Sequence, residues 1–304
     1  MPSLTATIGS FDGVHLGHLH LLRQLTAIAA ERDSVPAVVT FTNHPLQVIN
    51  PDKAPALLST PDEKRDLLMK AGAGIVVLKP FTQEMRRMSA ERFLKLLHER
   101  YAVDTLLLGF NNRFGNDPSL TFADYQRLGK EIGIEVIQAD EVRAGNSAVS
   151  STVIRNLLLE GRPQQATELL GRPYSLTGNV VHGKQLGRQL GYPTANILPE
   201  SPSKLIPARG VYACTAILPG GKSYPAMVNI GERPTLDETH PDTTIEAHII
   251  GVNRKLYGST VTLLFHHFLR PEKKFSSLDR LKTQLQADKL QVIKLLGFTN
   301  DATK

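Results

Sequence analysis

Two imidazoles, His15 and His18, stand three residues apart in the stretch Gly9-Ser-Phe-Asp-Gly-Val-His-Leu-Gly-His18. A short apolar run precedes the stretch and a helix-like run follows it. Gly9, Gly13 and Gly17 let the backbone come close to a ligand. The following helix offers unpaired N–H groups and the positive end of its dipole to an anion. Imidazoles at such a place can donate to phosphate oxygens and stabilise charge that builds up during a transfer. The same pair could be half of a metal site, but no Cys or His cluster at ligand spacing accompanies it. Local chemistry alone leaves the phosphate role open.

The elements that must position this turn read as an alternation of strand and helix. Leu4–Ile8 and 35–41 are β-rich runs on either side of a helical pattern over 19–30. Thr60-Pro-Asp-Glu63 is a capping box with Pro61 at the first helical position, opening a helix to Lys70. A strand is expected at 74–78, a helix at 89–100, a strand at 105–109, a helix near 121–132 and a strand at 134–138. This rhythm predicts a parallel sheet with helices on both faces, where ligands sit at the carboxyl ends of the strands. Both the histidine turn and Gly109–Gly115 fall at such ends. Two short helical segments follow, over 151–161 and 163–171. After Arg172 the grammar changes to β-rich runs between Gly and Pro turns at 211–218, 224–230, 243–250 and 260–268. These predict an antiparallel barrel or sandwich, closed by a helix over 278–296. Two domains are expected, 1–172 and 173–304.

Composition fits that plan. The 304 residues are too many for one average domain. No apolar run approaches the ~20 residues of a membrane span, and neither a basic leader nor a cleavage site precedes the first strand. The single cysteine, Cys214, lies in an apolar segment, so a buried thiol is expected and a disulfide framework is excluded. A cytoplasmic protein without a membrane partner is expected. Residues 1–172 carry 19 basic and 19 acidic groups, while residues 173–304 carry 16 and 10. The basic excess is scattered singly and aromatics are 6% of the chain, so small anionic ligands explain it as well as nucleic acid does. No nucleic-acid partner is expected.

His15-Leu-Gly-His18 resembles the HxGH signature of nucleotidylyltransferases, and the wider turn is similar to that of the bacterial bifunctional riboflavin kinase/FMN adenylyltransferases (FAD synthetases). Further likenesses follow in order along the chain: Thr40-Phe-Thr-Asn-His-Pro45, Gly109-Phe-Asn-Asn-Arg-Phe-Gly115, Ser150-Ser-Thr-Val-Ile-Arg155, Gly191-Tyr-Pro-Thr-Ala-Asn196, Asn229-Ile-Gly231, Arg233-Pro-Thr235, Glu246-Ala-His248 and Leu269-Arg270. The resemblance covers essentially the whole chain. It implies a Rossmann-like nucleotidylyltransferase domain followed by a riboflavin-kinase antiparallel β-barrel with a C-terminal helix. It also implies two reactions, riboflavin to FMN and FMN to FAD, each using ATP with Mg²⁺.

Residue by residue, the resemblance gives His15, His18 and Asn111 to the reacting phosphates, cradled by Gly9, Phe11, Gly13 and Gly17. Ser151, Thr152 and Arg155 would face pyrophosphate from a helix start; an ordinary N-cap beside a surface arginine is the plainer reading of those three. In the second half Glu246 would be the base for the riboflavin hydroxyl, with Thr244 and His248 on the same strand face. Thr194 and Asn196 would hold Mg²⁺, the nucleotide supplying the remaining ligands. Gly183 to Gly187 could wrap ATP phosphates, although no Gly-Lys-(Ser/Thr) follows. Arg270 and Asn112 are the candidates for flavin contact. The family loop has Phe where Asn112 stands, and Pro where Asn43 stands. Those departures touch only the adenylylating half and keep in view a riboflavin kinase whose other half is weak or re-purposed. The remaining alternative is a flavin-sensing or nucleic-acid-binding regulator that uses the basic second half for contact.

Overall fold

The computed structural model describes residues 3–110, 112–140, 149–183, 187, 190–232 and 243–298. It divides into two compact units, Met1–Ser151 and Thr152–Lys304.

In the first unit five strands form a wholly parallel sheet: β1 (Leu4–Ile8), β2 (Val35–Phe41), β3 (Ile75–Lys79), β4 (Val103–Leu108) and β5 (Glu135–Gln138). Their order is β3-β2-β1-β4-β5. The order reverses between β1 and β4, which opens a crevice at the carboxyl end of β1. Helix α1 (Leu16–Glu31) follows β1, and the short α2 (Leu46–Ile49) follows β2. Next come α3 (Pro61–Lys70), with its capping box intact, α4 (Gln83–Arg87), α5 (Ala90–Tyr101) and α6 (Phe122–Ile132). The sheet separates two apolar layers. Leu4, Ala6 and Ile8 face α5 and α6 together with Phe93, Leu97 and Tyr125. On the other face Val38 and Leu107 pack with Leu22 and Leu25 of α1 and Leu68 of α3.

The second unit opens with α7 (Ser151–Leu159, its first residue belonging to the first unit) and α8 (Pro163–Leu170). Six antiparallel strands then close into a barrel: β6 (Tyr174–Val181), β7 (Ala195–Pro199), β8 (Gly210–Ile217), β9 (Ser223–Glu232), β10 (Thr243–Ile249) and β11 (Thr260–Arg270), in the order β10-β7-β6-β11-β8-β9. Helix α9 (Leu278–Leu295) lays Val292 and Ile293 on Val211, Ala213 and Met227 of the barrel wall. Closure settles the choice between barrel and sandwich. β6 and β7 are not among the expected strands. Gly178 interrupts the first, and the second ends in Pro199, both of which read as breakers. The glycine is there because a Cβ would run into the Leu198 carbonyl of β7. Cys214 is fully buried, and burial pushes its thiol well above the ordinary range.

The division between units falls at Ser151, N-terminal to the expected Arg172. The reason is packing: α8 lies against β6 and β11, and the Leu158 carbonyl of α7 accepts from the Ala208 N–H that leads into β8. Among the described residues no helix is long and apolar enough to cross a membrane.

Burial of Ala166 and Leu170 on the barrel is worth about 2 kcal/mol or more. A fragment beginning at Thr152 should therefore melt at least about 5 °C above one beginning at Pro173. Equal melting temperatures in a thermal scan would show that the two helices add nothing to the barrel.

Candidate active sites

At the end of β1 the chain turns sharply. Phe11 (φ +47°), Gly13 (φ +78°) and Val14 (φ +39°) all lie in the left-handed region. Phe11 and Val14 tolerate this because both are buried in the α1/α3 apolar layer, at 1% and 0% exposure, which over-determines the backbone. Between them the carboxylate of Asp12, 2% exposed, points back into the protein. It accepts from the Leu58 N–H and the Ser59 N–H, each at 3.0 Å, and from Ser59 Oγ at 3.2 Å. Ser59 Oγ in turn accepts from the Gly13 N–H at 3.0 Å.

The turn delivers His15 to the N-cap of α1. Its Nδ1 accepts from the His18 N–H at 3.4 Å, and the two rings stack at 3.7 Å with 15° between planes. The Phe11 ring leans on His18 at 5.0 Å. Gly17 leaves room for this stack: a Cβ there would come within 3.2 Å of the His15 ring, and one at Gly9 within 3.1 Å of the Phe11 ring. Ser151 Oγ donates to the Asp12 carbonyl at 2.9 Å, joining that serine to the turn. Asn112, after β4, donates through Nδ2 to the Ile8 carbonyl and lines a cavity of about 440 Å³ with Phe110, Phe122 and Tyr125. Its amide is thus committed to backbone at the sheet's switch point. Asn43 instead pairs with both backbone groups of Phe81, at 2.7 and 3.1 Å, tying the loop after β2 to the one after β3. Asn111 lies outside the described residues.

The structure brings Gly9, Phe11, Gly13, His15, Gly17, His18 and Ser151 together in the first unit. Thr152 and Arg155 fall in the second. Arg155 is 7% exposed, which does not suit the surface arginine of the plainer reading.

On the barrel, Glu246 of β10 lies opposite Asn196 of β7 on one side and Asn229 of β9 on the other. Glu246 Oε2 accepts from Thr194 Oγ at 3.3 Å. His248 is 7% exposed and donates through Nδ1 to the Pro193 carbonyl at 2.9 Å, which fixes the turn carrying Thr194. Burial lowers its pKa, so the neutral ring is favoured. Gly183 leaves space that the Asn196 amide fills, and Gly187 sits where a Cβ would meet the Tyr192 carbonyl. Residues 184–186 lie outside the described residues.

Two cavities flank this strand pair. One, about 330 Å³, is lined by Tyr192, Glu246, His248, Arg270, Phe275 and Asp288, among others. The other, about 470 Å³, is bounded by Arg254, Lys255 and Tyr257. Thr194 lines both. In the first cavity Arg270 is held by Asp288, with Nε at 3.0 Å and Nη2 at 2.7 Å from Oδ2, and it lies 5.7 Å over the Phe275 ring.

Asp12, Lys64, Tyr192 and Asp288 escape the sequence reading. Asp288 had a signal: it falls at helical spacing within the apolar series Leu281, Leu285 and Val292, where a lone carboxylate needs a partner.

A family model for FAD synthetase matches residues 2–153, and one for riboflavin kinase matches residues 170–296. An Escherichia coli (strain K12) protein named bifunctional riboflavin kinase/FMN adenylyltransferase is 35% identical over 297 residues, 97% of this chain and 94% of its own. The chain belongs to the bifunctional riboflavin kinase/FMN adenylyltransferase family. Another member, from Pseudomonas fluorescens, is 37% identical and covers 93% of this chain and 90% of its own. The fold is also shared with a crystal structure described as a macrolide-efflux protein from Streptococcus pneumoniae. That match has a TM-score of 0.87 at 31% identity over 95% of this chain and 93% of that one.

Asp288→Asn removes the charge that Arg270 and Gln284 share inside this family's barrel unit. It should lower stability by about 1.5–3 kcal/mol, read as a fall in the urea midpoint with unchanged slope. An unchanged midpoint would mean the pair is not held in solution.

Proposed function

We propose that this chain makes FAD from riboflavin in two transfers, one centred in each unit. The barrel unit passes the γ-phosphoryl group of ATP to the riboflavin 5′-hydroxyl, giving FMN. The parallel-sheet unit lets the FMN phosphate attack the α-phosphorus of a second ATP, giving FAD and pyrophosphate. The observation that carries this reading is that each unit builds its own reactive group: stacked imidazoles at a helix start in one, a carboxylate against a threonine hydroxyl in the other.

The two sites differ as their nucleophiles do. A phosphate anion attacks without help from a base, so the first site has only to position it and stabilise charge. His15 and His18 donate to the ATP phosphates. Gly9, Phe11, Gly13 and Gly17 shape the turn that holds them. By the resemblance, Asn111 holds the reacting phosphates, and Ser151, Thr152 and Arg155 hold the pyrophosphate. Asn112 faces FMN through the cavity it shares with Phe110 and Tyr125.

An alcohol does need a base, and Glu246 takes that proton. The flavin occupies the cavity holding Arg270 and Phe275, and the nucleotide occupies the cavity holding Arg254 and Lys255, with Gly183 and Gly187 toward its phosphates. Thr194 lines both cavities, which supports a transfer of the phosphoryl group beside it. Thr194 and Asn196 present only oxygen donors beside a carboxylate, a set that suits a hard cation. They would hold Mg²⁺, which when bound neutralises charge on the nucleotide phosphates. The cytoplasmic place expected from the sequence belongs to the same proposal.

His18→Ala should cut FAD formation from FMN by about 10²–10³-fold while leaving FMN formation intact. Glu246→Gln should reverse the pattern, lowering phosphorylation of riboflavin by about 10²–10⁴-fold. Chromatographic separation of the flavins reads both, and loss of both reactions in either folded variant would refute the two-site assignment. Asn112→Phe trades the amide for a ring beside Phe110 and Tyr125. It should lower the KM for FMN several-fold, since an aromatic pair is worth about 0.5–1.5 kcal/mol, without changing riboflavin phosphorylation. An unchanged or higher KM would place position 112 away from the flavin.

A further inference from the structure

A lysine lies beneath the histidine turn. Lys64, on the first turn of α3, is 3% exposed and points under the loop rather than to solvent. Its ammonium donates at 2.8 Å to the Ser10 carbonyl, in the turn, and at 2.8 Å to the Phe41 carbonyl, at the end of β2. Ser10 O also accepts from Thr40 Oγ at 3.1 Å. The turn and the start of α3 are therefore braced in both directions. Asp12 reaches from the turn to Leu58 and Ser59, and Lys64 reaches from the helix back to Ser10. Phe11, with positive φ, lies between Ser10 and Asp12; Gly13 and Val14, also with positive φ, follow Asp12, and His15 comes immediately after them.

We propose that Lys64 is a positioning residue for adenylyl transfer, its buried ammonium fixing the Ser10–Val14 turn in the conformation that presents His15 and His18. The inference rests on the reading of the first unit as the adenylylating one. Lys64 is distinct from the phosphate-binding groups of that reading, because its bonds go to backbone carbonyls. Charge matters as well as shape. Charge-assisted hydrogen bonds are roughly twice as strong as neutral ones, and the ammonium is the cation attracted to the buried Asp12.

Burial pushes the Lys64 pKa down to about 8, against the opposing pull of Asp12. Asp12, His15 and His18 are the titratable groups of the turn, whereas β1 and β2 carry none. On its own helix Glu63 is engaged with the Thr60 N–H. Above pH 8 the ammonium becomes an amine, which keeps two N–H groups but no longer balances Asp12. The unfolded lysine holds its proton to about pH 10.4. Between those values the unfolded chain binds more protons than the native one, so this group makes stability rise with pH. Loss of turn geometry and loss of fold thus run in opposite directions, which separates positioning from mere structure.

The test follows FMN formation and FAD formation in unmutated protein and Lys64→Met, with a melting curve for each. Folded Lys64→Met should lose at least about tenfold in kcat for FAD formation, within the roughly 10²-fold that a misplaced catalytic group costs. KM for FMN and the riboflavin kinase rate should stay unchanged. A folded variant with full FAD formation overturns the proposal. If the methionine variant does not fold, the pH profile of the unmutated protein decides. A fall in kcat for FAD formation above pH 8, with no fall in melting temperature and a steady kinase rate, supports the assignment. A profile flat to pH 9.5 overturns it. Unmutated protein that makes no FAD at any pH would refute the functional reading instead, a result distinguishable from both.

Discussion

The buried carboxylate of Asp12 is the constraint on which the first site depends. A charge 2% exposed must be satisfied from within, and here the backbone N–H groups of Leu58 and Ser59 and the Ser59 hydroxyl donate to it. Meeting this demand draws the segment before α3 against the end of β1. It also accounts for the strained backbone on either side: Phe11 and Val14 take positive φ so that Asp12 can point inward while their own side chains enter the α1/α3 layer. The imidazoles then emerge at the start of α1, above a parallel sheet whose order reverses at that strand. Strand order gives the crevice, the carboxylate gives the turn, and the turn gives the stacked histidines.

The barrel site is governed by close approach of backbone. Gly178 and Gly183 lie where β6 and β7 leave no room for a Cβ, and this lets Asn196 and Thr194 stand beside Glu246. A second carboxylate, Asp288 on α9, holds Arg270 at the far wall of the same cavity. Each unit thus uses one buried acid for architecture. On the proposed reading, the half-buried Glu246 does the chemistry in the barrel and imidazole does it in the sheet unit. The division matches the needs of an alcohol nucleophile and a phosphate nucleophile.

Much of this was legible in the sequence because the local signals agreed with the fold. Thr60-Pro-Asp-Glu63 forms the capping box it spells, Ser89 and Thr121 cap the helices that follow them, and the alternation of strand and helix gives the parallel sheet. The illegible parts are those where a residue's meaning depends on what lies across from it. Gly178 and Pro199 read as breakers although both sit in strands, since only the neighbouring strand shows why a side chain is excluded. That α8 packs on β6 and β11, and so counts with the compact barrel unit, is likewise visible only once those strands are in place. Among site residues, His15 and His18 stood out by type and spacing, whereas Thr194 and Glu246 stood out only through the family resemblance. Asp12 and Lys64 did not, because an acid in a Gly-rich turn and a lysine in a polar helix are both ordinary until their partners, 46 and 54 residues away, are known. Asn112 reads as a lost aromatic in sequence, and its amide proves to be bonded to the Ile8 carbonyl.

The central claim is that one chain performs both transfers, each with its own ATP. Riboflavin incubated with Mg²⁺ and ATP labelled separately at the γ- or the α-phosphorus tests it directly. The account predicts FAD that carries the γ-label in its flavin-side phosphate and the α-label in its adenosine-side phosphate, with FMN carrying only the γ-label. Labelled FMN without labelled FAD, or flavin that takes up neither label, would contradict it.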